Sequence, residues 1–115
     1  MALMPITPHI DDLDNFLSHC HRKSYPNRTT IIYEGDKCDT LYYIIKGSVS
    51  VILEEDEGKE VVITYFYPGD FFGEMGLFEK AEERSAWCRT RSVCEVAEIS
   101  YANFYTYISS HPEIV

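Results

Sequence analysis

Long apolar runs are missing from this sequence, and none approaches the roughly 18 residues that a membrane-spanning helix requires. The amino terminus also lacks a basic stretch followed by an apolar core, the pattern of a secretory signal. Basic residues are scarce. Ten Lys and Arg stand against 19 Asp and Glu, a formal net charge of -9, and no Lys/Arg run offsets it. A chain of this sign repels nucleic acid, so these residues alone are predicted not to bind DNA. Cysteine pairs of the C-x-x-C kind are absent. Cys20, Cys38, Cys88 and Cys94 are scattered, which predicts four reduced thiols in a cytoplasmic protein. There is no nucleophile elbow, no paired acid and base, and no triphosphate loop. The chain therefore reads as a sensor and not an enzyme, with no catalytic residues and no cofactor.

What is present is an ordinary globular composition, 45% hydrophobic and 25% charged, in a 115-residue chain that fits one domain. Residues 1–6 read as a tail. Thr7 and Pro8 look like the cap and first position of a helix. Ile10, Leu13, Phe16, Leu17 and Cys20 continue it as one apolar stripe, ending near Cys20. The pattern then changes. Tyr33, Leu41, Tyr43, Ile45, Val49, Val51, Leu53, Val61, Ile63 and Tyr65 alternate or sit in β-branched and aromatic runs. Gly35, Gly47, Gly58 and Gly69 punctuate them at intervals of 12, 11 and 11 residues. Turns at that interval indicate an all-β sandwich or barrel. The run Glu54 to Lys59 reads as a solvated hairpin tip. Strands return at Ala86 to Arg91 and Val93 to Ile99. A second helix is predicted from Ser100, its cap, to about Ser110, with Tyr101, Phe104, Tyr105 and Ile108 as its stripe and Pro112 interrupting it.

The chemistry concentrates in one stretch. Asp70-Phe71-Phe72-Gly73-Glu74-Met75-Gly76-Leu77-Phe78-Glu79 is followed, ten positions after Glu74, by Arg84-Ser85-Ala86. Gly73 and Gly76 permit close backbone approach or positive φ. Arg84 offers a planar fork of donors that matches a phosphate, and Ser85 can add a hydroxyl donor. Backbone N–H groups at the start of a short helical turn, Glu74 to Phe78, also favour an anion. Glu74 is a poor phosphate ligand but a good acceptor for a sugar hydroxyl, able to tell ribose from deoxyribose. The set suits a small anion that carries a sugar.

That segment resembles the phosphate-binding cassette of cyclic-nucleotide-binding domains. Roughly residues 10–115 are similar to the amino-terminal half of the bacterial cAMP receptor protein family. The matching stretches are Phe16 to His21, Thr40 to Val49, Glu83 to Trp87 and Cys94 to Tyr101. The resemblance implies a mainly β fold, an eight-stranded jelly-roll barrel with short flanking helices. It implies cAMP as an allosteric ligand held by Gly73, Glu74, Met75, Gly76, Arg84 and Ser85. Met75 replaces the leucine usual in the family, a volume-conserving exchange. Val51, Ile63 and Thr64 match positions near the purine and are expected in the pocket wall. His21, Arg22 and Lys23 correspond to a basic patch that touches RNA polymerase, although Asn103 stands where the family has a further lysine.

By the same resemblance, a dimerisation helix and a helix-turn-helix DNA-binding domain would follow about Pro112. Neither is in this chain, which is read as one domain of a longer homodimeric transcription regulator. The hydroxyls that select adenine lie on that helix, so preference for cAMP over cGMP is not encoded in these 115 residues. The alternative is a family member that has lost cAMP dependence and regulates with another ligand or none. A third reading starts from His19 and His21, an H-x-H pair like that of metal-binding cupins. His9 and His111 fall outside the expected strands and supply no third ligand, so no metal is predicted.

Overall fold

The computed structural model describes residues 12–74, 83–84 and 86–110. Helix α1 spans Leu13–Ser18, and the Asp12 carboxylate accepts from the Asn15 N–H at 3.0 Å. That caps a donor otherwise left open in the first turn. The cap expected at Thr7 lies outside the described residues. Eight strands follow: β1 His21–Tyr25, β2 Thr30–Ile32, β3 Thr40–Lys46, β4 Val49–Glu54, β5 Glu60–Phe66, β6 Phe71–Phe72, β7 Trp87–Thr90 and β8 Cys94–Ser100. A 3-10 turn, Asp56–Gly58, forms the acidic hairpin tip between β4 and β5. Helix α2, Tyr101–Ser110, follows directly on β8. Ser100 caps it as expected, its Oγ accepting from the Asn103 N–H at 3.1 Å.

The strands form two four-stranded antiparallel sheets, ordered β1-β8-β3-β6 and β2-β7-β4-β5. The jelly-roll-like arrangement is as expected, but the sheets are not closed into a barrel. Strands as short as β2 and β6 leave little edge to pair across a seam. One core lies between the sheets. It joins Ile32, Ile44, Val49, Val51, Phe72, Ala86, Cys88, Cys94 and Val96, from six strands and the residue that leads into β7. A second core packs the outer face of the first sheet against both helices through Phe16, Leu17, Leu41, Phe71, Ala97, Ile99, Phe104 and Tyr107. The period of two in a strand explains the division, because adjacent Phe71 and Phe72 point into different cores. Phe16 sits at an aromatic junction, edge-on to Phe71, Phe104 and Tyr107 with centroids 5.9, 6.2 and 5.3 Å away. Burying such a ring stabilises the fold by about 1.5–3 kcal/mol.

One strand falls outside the expected pattern, and two expectations need correction. Strand β1 carries no apolar alternation, its first four residues are exposed, and it forms by pairing with β8 from His21↔Glu98 to Tyr25↔Cys94. Tyr33 lies just past β2 and is exposed. In α2 the buried side chains are Phe104 and Tyr107, whereas Tyr105 is 46% exposed. The stripe is rotated because Tyr107 docks on α1, its hydroxyl donating to Asn15 Oδ1 at 3.0 Å.

Candidate functional site

Arg84 is held by both its backbone and its side chain. Its N–H donates to the Asp36 carbonyl at 2.7 Å, and its own carbonyl accepts from the Gly35 N–H at 2.9 Å. The residue is only 8% exposed. Nη1 donates to the Gly73 carbonyl at 2.8 Å and the Tyr101 hydroxyl at 3.4 Å, and Nη2 donates to the Thr40 carbonyl at 2.7 Å. The Tyr101 hydroxyl donates in turn to the same Gly73 carbonyl. None of these acceptors is charged. A buried cation bonded to neutral groups keeps its attraction for an anion, since burial without a counter-charge is costly.

Gly73 is required where it stands. Its φ is +78°, and a Cβ would lie 2.8 Å from the Tyr42 ring, 3.0 Å from the Thr40 carbonyl and 3.1 Å from Arg84 Nη1. The Tyr42 ring below it stacks on Phe72 at 4.9 Å, and the guanidinium lies 6.0 Å from the Tyr42 centroid. Burial pushes the Tyr42 phenol up to about 12, helped by the negative charge of Glu98. Glu74 follows Gly73 and is half-buried. Burial likewise raises the Cys88 thiol to about 12, a rise that Arg84 opposes and Glu74 reinforces. That thiol therefore sits within reach of both charges.

The expected wall is partly assembled. Val51 pairs with Thr64 on one side and with Cys88 on the other, so the three lie in register across β5, β4 and β7. Val51 is buried, and Ile63 packs on the same core. The register shifts between Val51 and Ile52, giving β5 one extra residue at Ile63. Such a bulge lets neighbouring residues depart from strict alternation, and Ile63 and Thr64 are both half-buried. Met75, Gly76 and Ser85 lie outside the described residues. His21, Arg22 and Lys23 lie together on β1, exposed, with Arg22 3.9 Å from Glu95 and Lys23 5.0 Å from the Tyr25 ring. Asn103 is on α2 and exposed. His19 stands at the end of α1, its Nδ1 2.9 Å from the Asn15 carbonyl. No group of three or more metal-ligating side chains occurs among the described residues.

Sequence reasoning missed Thr40, Tyr42 and Tyr101. Tyr101 was assigned only to an apolar stripe. Its signal was the hydroxyl, placed where a helix starts beside the expected site.

A family model for the cyclic nucleotide-binding domain matches residues 22–111. The chain belongs to that family. Among its curated relatives are the cAMP-activated global transcriptional regulator Vfr of Pseudomonas aeruginosa, 52% identical over all of this chain and 55% of Vfr. Another is the cAMP-activated global transcriptional regulator CRP of Salmonella typhimurium, 53% identical over 90% of this chain and 49% of CRP. The chain thus spans about half the length of the curated relatives it matches. Among solved structures, the c-di-GMP responsive global regulator CLP of Xanthomonas campestris superposes with a TM-score of 0.82 and 47% identity. That match covers 86% of this chain and 48% of CLP. The catabolite activator protein of Thermus thermophilus gives 0.79 at 30% identity, over 87% of this chain and 46% of that one. These members of the family are transcriptional regulators, not enzymes. No helix among the described residues is long and apolar enough to cross a membrane.

Proposed function

We propose that this cyclic nucleotide-binding domain binds cAMP, with the cyclic phosphate on Arg84 and Ser85 and the ribose 2′-hydroxyl on Glu74. Gly73, Met75 and Gly76 supply the close backbone, and Val51, Ile63 and Thr64 the wall beside the base. The observation that carries this reading is the buried Arg84, whose acceptors among the described residues are uncharged and lie beside Gly73. A phosphodiester anion supplies a counter-charge through charge-assisted bonds. The cAMP-activated relatives support the choice of nucleotide. In a longer regulator, cAMP bound here controls DNA binding by a carboxy-terminal domain of a cytoplasmic homodimer. The exposed His21, Arg22 and Lys23 then face RNA polymerase.

A second reading has an observation of its own: CLP, at 47% identity, is a c-di-GMP responsive regulator. Titration calorimetry with cAMP, cGMP and c-di-GMP separates the two. Saturable binding of cAMP in preference to c-di-GMP supports the first reading. Binding of c-di-GMP alone replaces it with the second.

A further inference from the structure

The donors of Arg84 can be counted. A guanidinium has five N–H groups. Nη1 donates to Gly73 and Tyr101, whose oxygens lie side by side, and Nη2 donates to Thr40. Nε–H has no acceptor among the described residues. Nε–H and the adjacent Nη2–H form the edge of the fork away from Nη1, and such a pair can grip an anion at two points. Holding Nη1 inward therefore aims this edge.

We infer that Tyr101 is a positioning residue for the anion site: its hydroxyl, bridging Arg84 Nη1 and the Gly73 carbonyl, turns the Nε–Nη2 edge of Arg84 toward the phosphate and ties that edge to α2. The inference rests on the cAMP reading above. Tyr101 is well placed for the task. Its backbone N–H donates to the Asp39 carbonyl at 2.8 Å, one residue before the Thr40 carbonyl that holds Nη2. Thr40 and Ser100 are paired across β3 and β8. The start of β3, the end of β8 and the first turn of α2 thus meet at one guanidinium. A shift of α2 relative to β3 moves the phenol and with it the edge offered to the anion. Conversely, an anion that draws Arg84 outward pulls on the first residue of α2. The only physical requirement is a differential contact between the two placements of Arg84.

The experiment uses Tyr101→Phe, which removes the hydroxyl and keeps the ring packed on the helix-side core. The first readout needs no nucleotide. The Arg84 Nε–H resonance of the free chain, assigned by its loss in Arg84→Lys, shifts and broadens in Tyr101→Phe. The second is cAMP affinity by calorimetry, which falls about tenfold, the loss of one hydrogen bond to a charged group. The third is the same substitution in the Arg84→Lys background, where it changes affinity less than about twofold if Tyr101 works through Arg84. An unmoved Arg84 resonance overturns the inference, as does a tenfold loss that persists undiminished in Arg84→Lys. Failure of the unsubstituted chain to bind cAMP counts against the proposed function instead, and the resonance still decides the role of Tyr101.

Discussion

At the scale of single residues, Arg84 has two jobs that pull in different directions. It is a phosphate ligand in the proposed function and, in the fold, the donor that satisfies the carbonyls of Gly73 and Thr40. Arg84→Leu should therefore lower cAMP affinity by a factor on the order of 10² or more, since losing the partner of a desolvated anion costs about 2–5 kcal/mol. It should also cost about 1–3 kcal/mol of stability by stranding polar groups. Calorimetry and a denaturant melt measure the two losses separately, and an unchanged dissociation constant places the phosphate elsewhere. Gly73 and Arg84 were legible in the sequence because a glycine and an arginine at fixed spacing carry specific chemistry. Tyr101 and Thr40 were not. Their part depends on β3, β8 and α2 meeting in space, and one of the two acts through its main-chain carbonyl.

At the scale of elements, the turns were the most legible feature. Gly35, Gly47, Gly58 and Gly69 all have positive φ, so each punctuates the chain for a backbone reason readable from residue type. Gly47, between β3 and β4, is the most constrained. Its φ is +90°, and a Cβ would lie 2.5 Å from the Val93 carbonyl and 2.6 Å from Cys94 Sγ. Gly47→Ala should destabilise the chain by about 1–3 kcal/mol, combining overpacking with a disfavoured φ. A melting temperature within error of the unsubstituted chain would contradict this. Strand β1 was illegible for the opposite reason. Its hydrophilic residues carry no pattern, and only β8 makes it a strand. The helix-side core was half legible, because a sheet covered on both faces buries Leu41 and Ile44 alike and blurs the one-sided alternation. Burial of Cys88 and Tyr42 adds a pH prediction. Both have folded-state values raised to about 12 from ordinary values of 9.0 and 10.0. Their neutral forms favour the fold, a contribution fully present below the unfolded values and lost as pH rises through the folded ones. The melting temperature should hold between about pH 7 and 8.5 and then fall toward pH 11, from the reference values of thiols and phenols. A melting temperature that is flat or rising to pH 11 contradicts the assignment.

At the scale of the whole molecule, the sign of the charge and the place of the candidate anion site divide the labour. A net charge of -9 disfavours DNA. The 115-residue chain should therefore give no shift with duplex DNA in a gel assay, with or without cAMP. In the proposed function its part is to bind the ligand, and in the further inference that event passes through Arg84 and Tyr101 to α2. The nucleotide should leave the two sheets largely as they are, because their pairing does not depend on the site. The most direct test of the anion site is isothermal titration of cAMP into the chain as it stands. A saturable exotherm for a single site per chain, weakened about 10²-fold or more by Arg84→Leu, is the predicted result. No heat and no thermal shift at millimolar cAMP would contradict it.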